Sequence, residues 1–156
     1  MGTLPEAALR MALIAATLGC AAMGGIYYAF SSFIMRALAE IKPETGQAAM
    51  VSINRVILGS GFIWLFFGSS LLCAGLLVVS PWLGQGLWIA AGAALYLIGM
   101  LLVTVTRNVP LNQTLAAAGP DLVTWQGYLR DWTFWNHIRS AASLAAAGSF
   151  LMALIG

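Results

Sequence analysis

The chain has 156 residues, 61% hydrophobic and only 8% charged, with a mean hydropathy of +0.90, whereas ordinary soluble domains carry roughly a quarter charged residues. A fold of 16.5 kDa exposes too much of its chain to hide that apolar fraction from water, so a bilayer has to serve as its solvent. The net charge of +2 comes from singly scattered basic residues, which excludes the basic runs that grip nucleic acid.

The first apolar stretch runs without a charge from Met11 to Met35, 25 residues. That length spans a membrane and exceeds a typical signal-peptide core, so it is expected to be retained as a first span although Arg10 precedes it. Cys20 lies within it, as Cys73 lies within the second span. Such thiols behave as small hydrophobes, and with one histidine in the chain no metal-ligand spacing can be assembled. Pro43 opens a helix expected to run through Met50 and Asn54 straight into a second span, Val56 to about Ser80. Pro81 turns the chain into a third span, Leu83 to Thr106, antiparallel to the second. Gly61, Gly68 and Gly75, and likewise Gly92 and Gly99, recur every seven residues and read as helix-packing seams.

Pro110 is expected to end the third span just after Asn108. Asp121 caps a further helix, on which Trp125, Tyr128, Trp132 and Trp135 fall three or four apart as one aromatic stripe. The fourth apolar stretch, Ser140 to Ile155, has 16 uncharged residues, roughly 24 Å of helix against a hydrocarbon core of about 30 Å. If it crosses, Trp135 to Arg139 are drawn into the bilayer edge or the bundle interior. The expected architecture is an all-α, integral membrane four-helix bundle forming a single domain over 1–156. Its spans fall at about 11–35, 56–80, 83–106 and 135–155, with a short interfacial helix before the last.

Arg36, Lys42 and Arg55 follow the first span and Arg107, Arg130 and Arg139 the third, whereas the other side offers only Arg10. The positive-inside rule therefore puts these two loops in the cytoplasm and both termini outside, as in a bacterial inner membrane. On that loop side lie Asn54, Arg55, Arg107, Asn108, Asn112, Trp132, Trp135, Asn136, His137 and Arg139. Each alone reads as a cap, a snorkelling cation or an interfacial aromatic. Ionisable groups drawn to apolar depth are costly and mark function, which makes the set a candidate pocket.

Four segments carry a resemblance: Phe30 to Leu38, Ala49 to Asn54, Asn108-Val109-Pro110-Leu111-Asn112 and Trp132 to Arg139. They resemble the motifs of the anthrone oxygenase-like family of small membrane proteins, in order along nearly the whole chain. The resemblance implies a four-span protein whose fungal relatives oxidise polycyclic anthrones to anthraquinones with oxygen and no evident cofactor. The family often carries an asparagine where this chain has Gly59. Such a reaction needs a base and donors for the resulting enolate. His137, an imidazole available in neutral form, is the expected base. Arg139, with Arg55 or Arg107, would stabilise the oxyanion, Asn54, Asn108, Asn112 and Asn136 would add hydrogen bonds, and Trp132 and Trp135 would stack on a flat substrate. The expected partners are the bilayer and a lipophilic small molecule, with a homo-oligomer compatible. Two other readings stand beside this one: a haem- or quinone-binding redox protein, for which a single histidine supplies one axial ligand, and a non-catalytic accessory protein. A proton-coupled transporter would need an acid within a span, and Glu6, Glu40, Glu44, Asp121 and Asp131 all lie in flanks.

Overall fold

The computed structural model describes residues 4–156, and every regular element among them is helical. Helix α1 covers 4–40: Leu4–Ala29, a wide π-helical turn at Phe30–Ile34, and a last stretch Met35–Glu40. After a two-residue break, α2 runs over Pro43–Ile57 with the proline in its first turn, where its missing N–H costs no hydrogen bond. Helix α3 is Phe62–Val79, followed by a single 3₁₀ turn Ser80–Trp82. Helix α4 covers Gly86–Ala117 and α5 covers Leu122–Ile155.

Four of these five helices are long and apolar enough to cross a membrane: α1, α3 with its 3₁₀ turn, α4 and α5. The protein is an integral membrane protein built as a helical bundle. Round the bundle, α1 packs on α5, α5 on α4, α4 on α3 and α3 back on α1. An apolar core formed by Cys20, Met23, Phe66, Cys73, Ile89, Tyr96, Met100 and Phe150 fills the membrane-spanning part. Helix α2 caps one end, resting on the end of α1, the last turns of α4 and the first turns of α5. A second core lies there, with Met35, Met50, Leu115, Trp125, Tyr128 and Trp132. Gly46 makes that contact close, because a Cβ there would meet the Leu38 carbonyl oxygen and, at 2.9 Å, the Trp125 ring.

Several expectations need correction. Helix α2 does not run into the second span, because the chain breaks over 58–61, where the Ser60 hydroxyl donates to the Ile57 carbonyl at 2.8 Å and two glycines flank it. Gly59 lies in this exposed turn. Pro110 does not end the third span either. Helix α4 passes from a π-helical stretch, Thr104–Asn108, into Val109–Ala117 with Pro110 near the start of that segment. The widened turn gives the ring room where a regular turn would clash with the carbonyl four residues back. The helix capped by Asp121 does lead without a break into the fourth span, as the absence of a proline between Asp121 and Gly156 allows: the two are one helix, α5, of 34 residues.

The two glycine series differ as well. A Cβ on Gly99 would overlap that of Ala142, and one on Gly92 would come within 3.1 Å of the Ala146 carbonyl oxygen, so α4 sits tightly on α5. Gly61, Gly68 and Gly75 of the α3 side have open space around them. That second series is not a packing seam within the chain.

Candidate functional site

The inner face of α5 is set by helical phase. Trp125, Tyr128, Trp132, Asn136, then the adjacent Arg139 and Ser140, and Ser143 follow one another at steps of three or four residues along one face, and all are buried. The aromatic stripe is a stacked ladder: Trp125 on Tyr128 and Tyr128 on Trp132, each with ring centroids 5.9 Å apart. Phe30, at the start of the π-helical turn of α1, closes on Trp132 at 5.8 Å.

Below the ladder lies Arg139, 5% exposed and about 24 Å along α5 from its last residue. Its Nη2 donates to Asn136 Oδ1 at 2.6 Å and its Nη1 to Thr104 Oγ1 at 3.3 Å. The guanidinium carbon stands 4.2 Å from the Tyr27 ring centroid and 5.1 Å from that of Trp132, a cation between two π faces. Asn136 in turn donates to the Tyr27 carbonyl oxygen and to Ser31 Oγ, both at 2.6 Å. The Ser140 hydroxyl donates to the Gly24 carbonyl oxygen at 3.0 Å. Among the described residues no carboxylate is a partner of Arg139, and Asp131, the acid nearest to it in sequence, pairs with Arg130 at 2.6 Å.

The layer is incompletely satisfied. Asn108 donates from Nδ2 to the Trp132 carbonyl oxygen at 3.3 Å, but its Oδ1 has no protein partner, and neither do Trp132 Nε1 and Arg139 Nε. Buried polar atoms are costly when unpaired, most of all without water nearby. Of the residues that enter this layer from the other helices, Ser31 comes from the π-helical turn of α1 and Thr104 and Asn108 from that of α4, while Tyr27 lies on the regular part of α1. Wide turns of this kind are frequent at functional sites because they re-aim side chains.

Nearer the rim, the polar groups are better matched. Tyr128 donates to Asn112 Oδ1 at 2.8 Å, and Asn54 Nδ2 approaches the same hydroxyl at 3.4 Å. Gln47 of α2 donates to the carbonyl oxygens of Gly119 and Leu115 and accepts from the Asp121 N–H at 3.3 Å, tying α2 to the turn between α4 and α5. Gly119 takes φ +63°, a conformation suited to glycine. Asp121 caps α5 by accepting from the Thr124 N–H at 2.8 Å, and the hydrogen bonds from Thr124 hold its carboxyl below the usual carboxylate range.

The structure thus brings together Trp132, Asn136, Arg139 and Asn108 in one layer, and Asn54 and Asn112 one level above. Four residues expected in the pocket lie outside it, Trp135 among them: its half-buried ring packs edge-on against Phe134 at 5.2 Å and takes no part in the stacked ladder. His137 is exposed, because one residue past Asn136 the helix has turned by about 100°, which carries the imidazole off the face that holds the polar layer. Arg55 is exposed too, and Arg107, also exposed, sits over the half-buried Trp135 ring at 4.8 Å. Sequence reasoning missed Tyr27, Ser31 and Thr104, whose side chains in apolar spans carry no charge to flag them.

A fixed cation between aromatic faces, with unpaired donors beside it and no acid to neutralise it, is suited to a flat ligand that carries or develops negative charge on oxygen. A family model described as anthrone oxygenase matches residues 50–149. That match takes in the second half of α2, all of α3 and α4 and most of α5, including the Arg139 layer apart from its α1 residues. No curated relative and no solved structure matches the chain.

Proposed function

The chain belongs to the anthrone oxygenase family, and from that premise we propose that it is a membrane-embedded oxygenase-like protein, cofactor-independent, acting on a lipophilic anthrone- or phenol-like aromatic. The observation that carries this reading is the Arg139 guanidinium, buried in the bundle without a carboxylate and flanked by Tyr27 and Trp132. A substrate held there would lose a proton from the carbon opposite its carbonyl, or from a phenol, and the resulting enolate or phenolate oxygen would rest on Arg139. Oxygen then adds to the electron-rich carbon, and the hydroperoxide so formed loses water to leave the new carbonyl. One O₂ is consumed, one oxygen atom enters the product and the other leaves as water.

In this reading Arg139 is the catalytic residue, since it stabilises the anion that reacts. Asn136 positions Arg139 through the 2.6 Å bond and is itself held by Tyr27 and Ser31. Trp132 and Asn108 offer the substrate an unpaired donor and an unpaired acceptor, and Asn54 and Asn112 would meet it on the rim side. His137 has no part in it. The proton passes to water at the cap end, where Tyr128, Asn112 and Asn54 form a polar cluster. Oxygen and the substrate both partition into lipid, which favours a site at this depth.

The same reading places the cap end in the cytoplasm and both termini outside, in a bacterial inner membrane, since Arg36, Lys42, Arg55, Arg107 and Arg130 all lie at the cap end. The test is oxygen uptake by purified protein given a panel of lipophilic anthrones and phenols, wild type beside Arg139→Met. Uptake by wild type that tracks product and collapses in the variant is expected. Equal rates in the two proteins, or none with any compound in either, would overturn the assignment and favour a non-catalytic accessory role.

A further inference from the structure

The two cysteines lie 53 positions apart in sequence, on α1 and α3, with their sulfurs 3.8 Å apart. Both are free and both are 0% exposed. An isolated buried thiol is ordinarily a small hydrophobe, but two thiols in contact across a helix interface form a pair of electron donors at one point. We infer that Cys20 and Cys73 form an oxidation site, at which a lipid-soluble hydroperoxide converts the dithiol into a disulfide that bonds the first span to the second.

The geometry supports closure. A disulfide needs its sulfurs about 2.05 Å apart, so each sulfur has to move by a little under 1 Å, within reach of a small rotation about the Cα–Cβ bond. The two helices are already close here: a Cβ on Gly19, next to Cys20, would overlap the hydroxyl oxygen of Ser69, one turn before Cys73. Access comes from the lipid side. A groove of about 470 Å³ between α1 and α3 is lined by Leu18, Gly19 and Ala22 on one wall and Ser69 and Leu72 on the other; Gly19 and Leu72 adjoin the cysteines in sequence, and the thiols themselves lie behind this lining, 0% exposed. The groove is apolar, so an oxidant dissolved in the membrane approaches the pair more closely than a water-soluble one, and a local opening between the two helices completes the path.

The chemistry balances in two steps. One thiol attacks the outer oxygen of the hydroperoxide, giving a sulfenic acid and an alcohol; the second thiol then displaces hydroxide from that sulfur, forming the S–S bond and releasing water. The dithiol loses two electrons and two protons, and the O–O bond is reduced. Both thiols are fully buried, so the reaction is slow beside that of an exposed thiol. The inference does not depend on the proposed oxygenase activity, although a protein that forms hydroperoxides inside a bilayer would meet such oxidants first.

The experiment treats the full-length protein in lipid nanodiscs with cumene hydroperoxide, then denatures it and adds N-ethylmaleimide. Intact mass should fall by about 2 Da with no maleimide adduct, and two adducts should return after phosphine reduction. Hydrogen peroxide at the same concentration should act at least tenfold more slowly. Cys20→Ser and Cys73→Ala should each keep a full single adduct, and two variants guard against one that misfolds. Two adducts persisting after methionine oxidation has set in, a disulfide between two chains, or oxygen added to one cysteine without cross-linking would each overturn the inference.

Discussion

Helices α3 and α5 both cross the bundle, and they use the bilayer in opposite ways. Helix α3 with its 3₁₀ turn has the higher hydropathy, 2.3 against 1.6, yet little more than a quarter of its apolar window is buried within the protein, compared with nearly half for α5. Trp64 and Leu71 of α3 face outward at 82% and 73% exposure, and its glycines have open space around them. Lipid accepts such a surface without demanding a fit, because acyl chains are as apolar as leucine. Helix α5 carries an arginine, an asparagine and several serines on its buried face, groups that only a protein interior at this depth can accommodate. Of these two, the more hydrophobic span is the less specified, and the more polar one organises the other helices and the candidate site.

The largest effect expected from this contrast lies at Arg139. Replacing it with Met should lower oxygen uptake on an active substrate by 100-fold or more, since it removes the charge on which the developing anion rests. The Tm should shift by only a few degrees, because the cost of leaving Asn136 Oδ1 unpaired is offset by no longer burying a guanidinium without a carboxylate. A variant that loses activity only by unfolding would instead make Arg139 a structural residue. Asn136→Ala should act through stability: it deletes two 2.6 Å hydrogen bonds to α1 and strips Arg139 of its closest partner. A loss of about 2–4 kcal/mol is expected in detergent unfolding. Unfolding within 0.5 kcal/mol of wild type would show that the polar layer contributes nothing to holding α1 on α5.

The glycine series offer a third contrast of intermediate size. Gly99→Leu has to displace Ala142 on α5, an overpacking worth about 2–3 kcal/mol, while Gly75→Leu on α3 meets open space and should stay within about 0.5 kcal/mol of wild type. Thermal melts of both variants in one detergent decide it. Should Gly75→Leu prove the more damaging, its face is covered in the membrane by something other than lipid.

The sequence allowed the four spans to be read because uncharged length is a one-dimensional property. It could not separate the two glycine series, which share a seven-residue period, because period says nothing about whether protein or lipid lies opposite. The site was partly readable. The shortness of the last apolar stretch pointed to Asn136 and Arg139, and the stripe Trp125, Tyr128, Trp132 gives their helical phase. The α1 and α4 contributions were not readable, since no residue pattern announces the π-helical turns that aim Ser31, Thr104 and Asn108 inward. For the same reason Pro110 looked like a terminus, although a widened turn lets the helix carry on through it.

The smallest expected effect belongs to the residue that chemistry alone would favour. The sole histidine of the chain sits beside Asn136 in a family-like motif, and an imidazole is the usual base where a proton must leave carbon. Stepping by three or four from Trp132 reaches Asn136 and then Arg139, and it passes over 137. The imidazole is accordingly exposed on the same helix whose opposite face carries the guanidinium, in the surroundings that α3 meets along its outer side. His137→Ala should therefore leave both oxygen uptake and Tm within experimental scatter of wild type, and the activity should show no pH step attributable to a histidine. A rate loss of tenfold or more in that variant, with its melt unchanged, would mean that α5 presents its outer face to the substrate, and the division between the two faces would have to be drawn elsewhere.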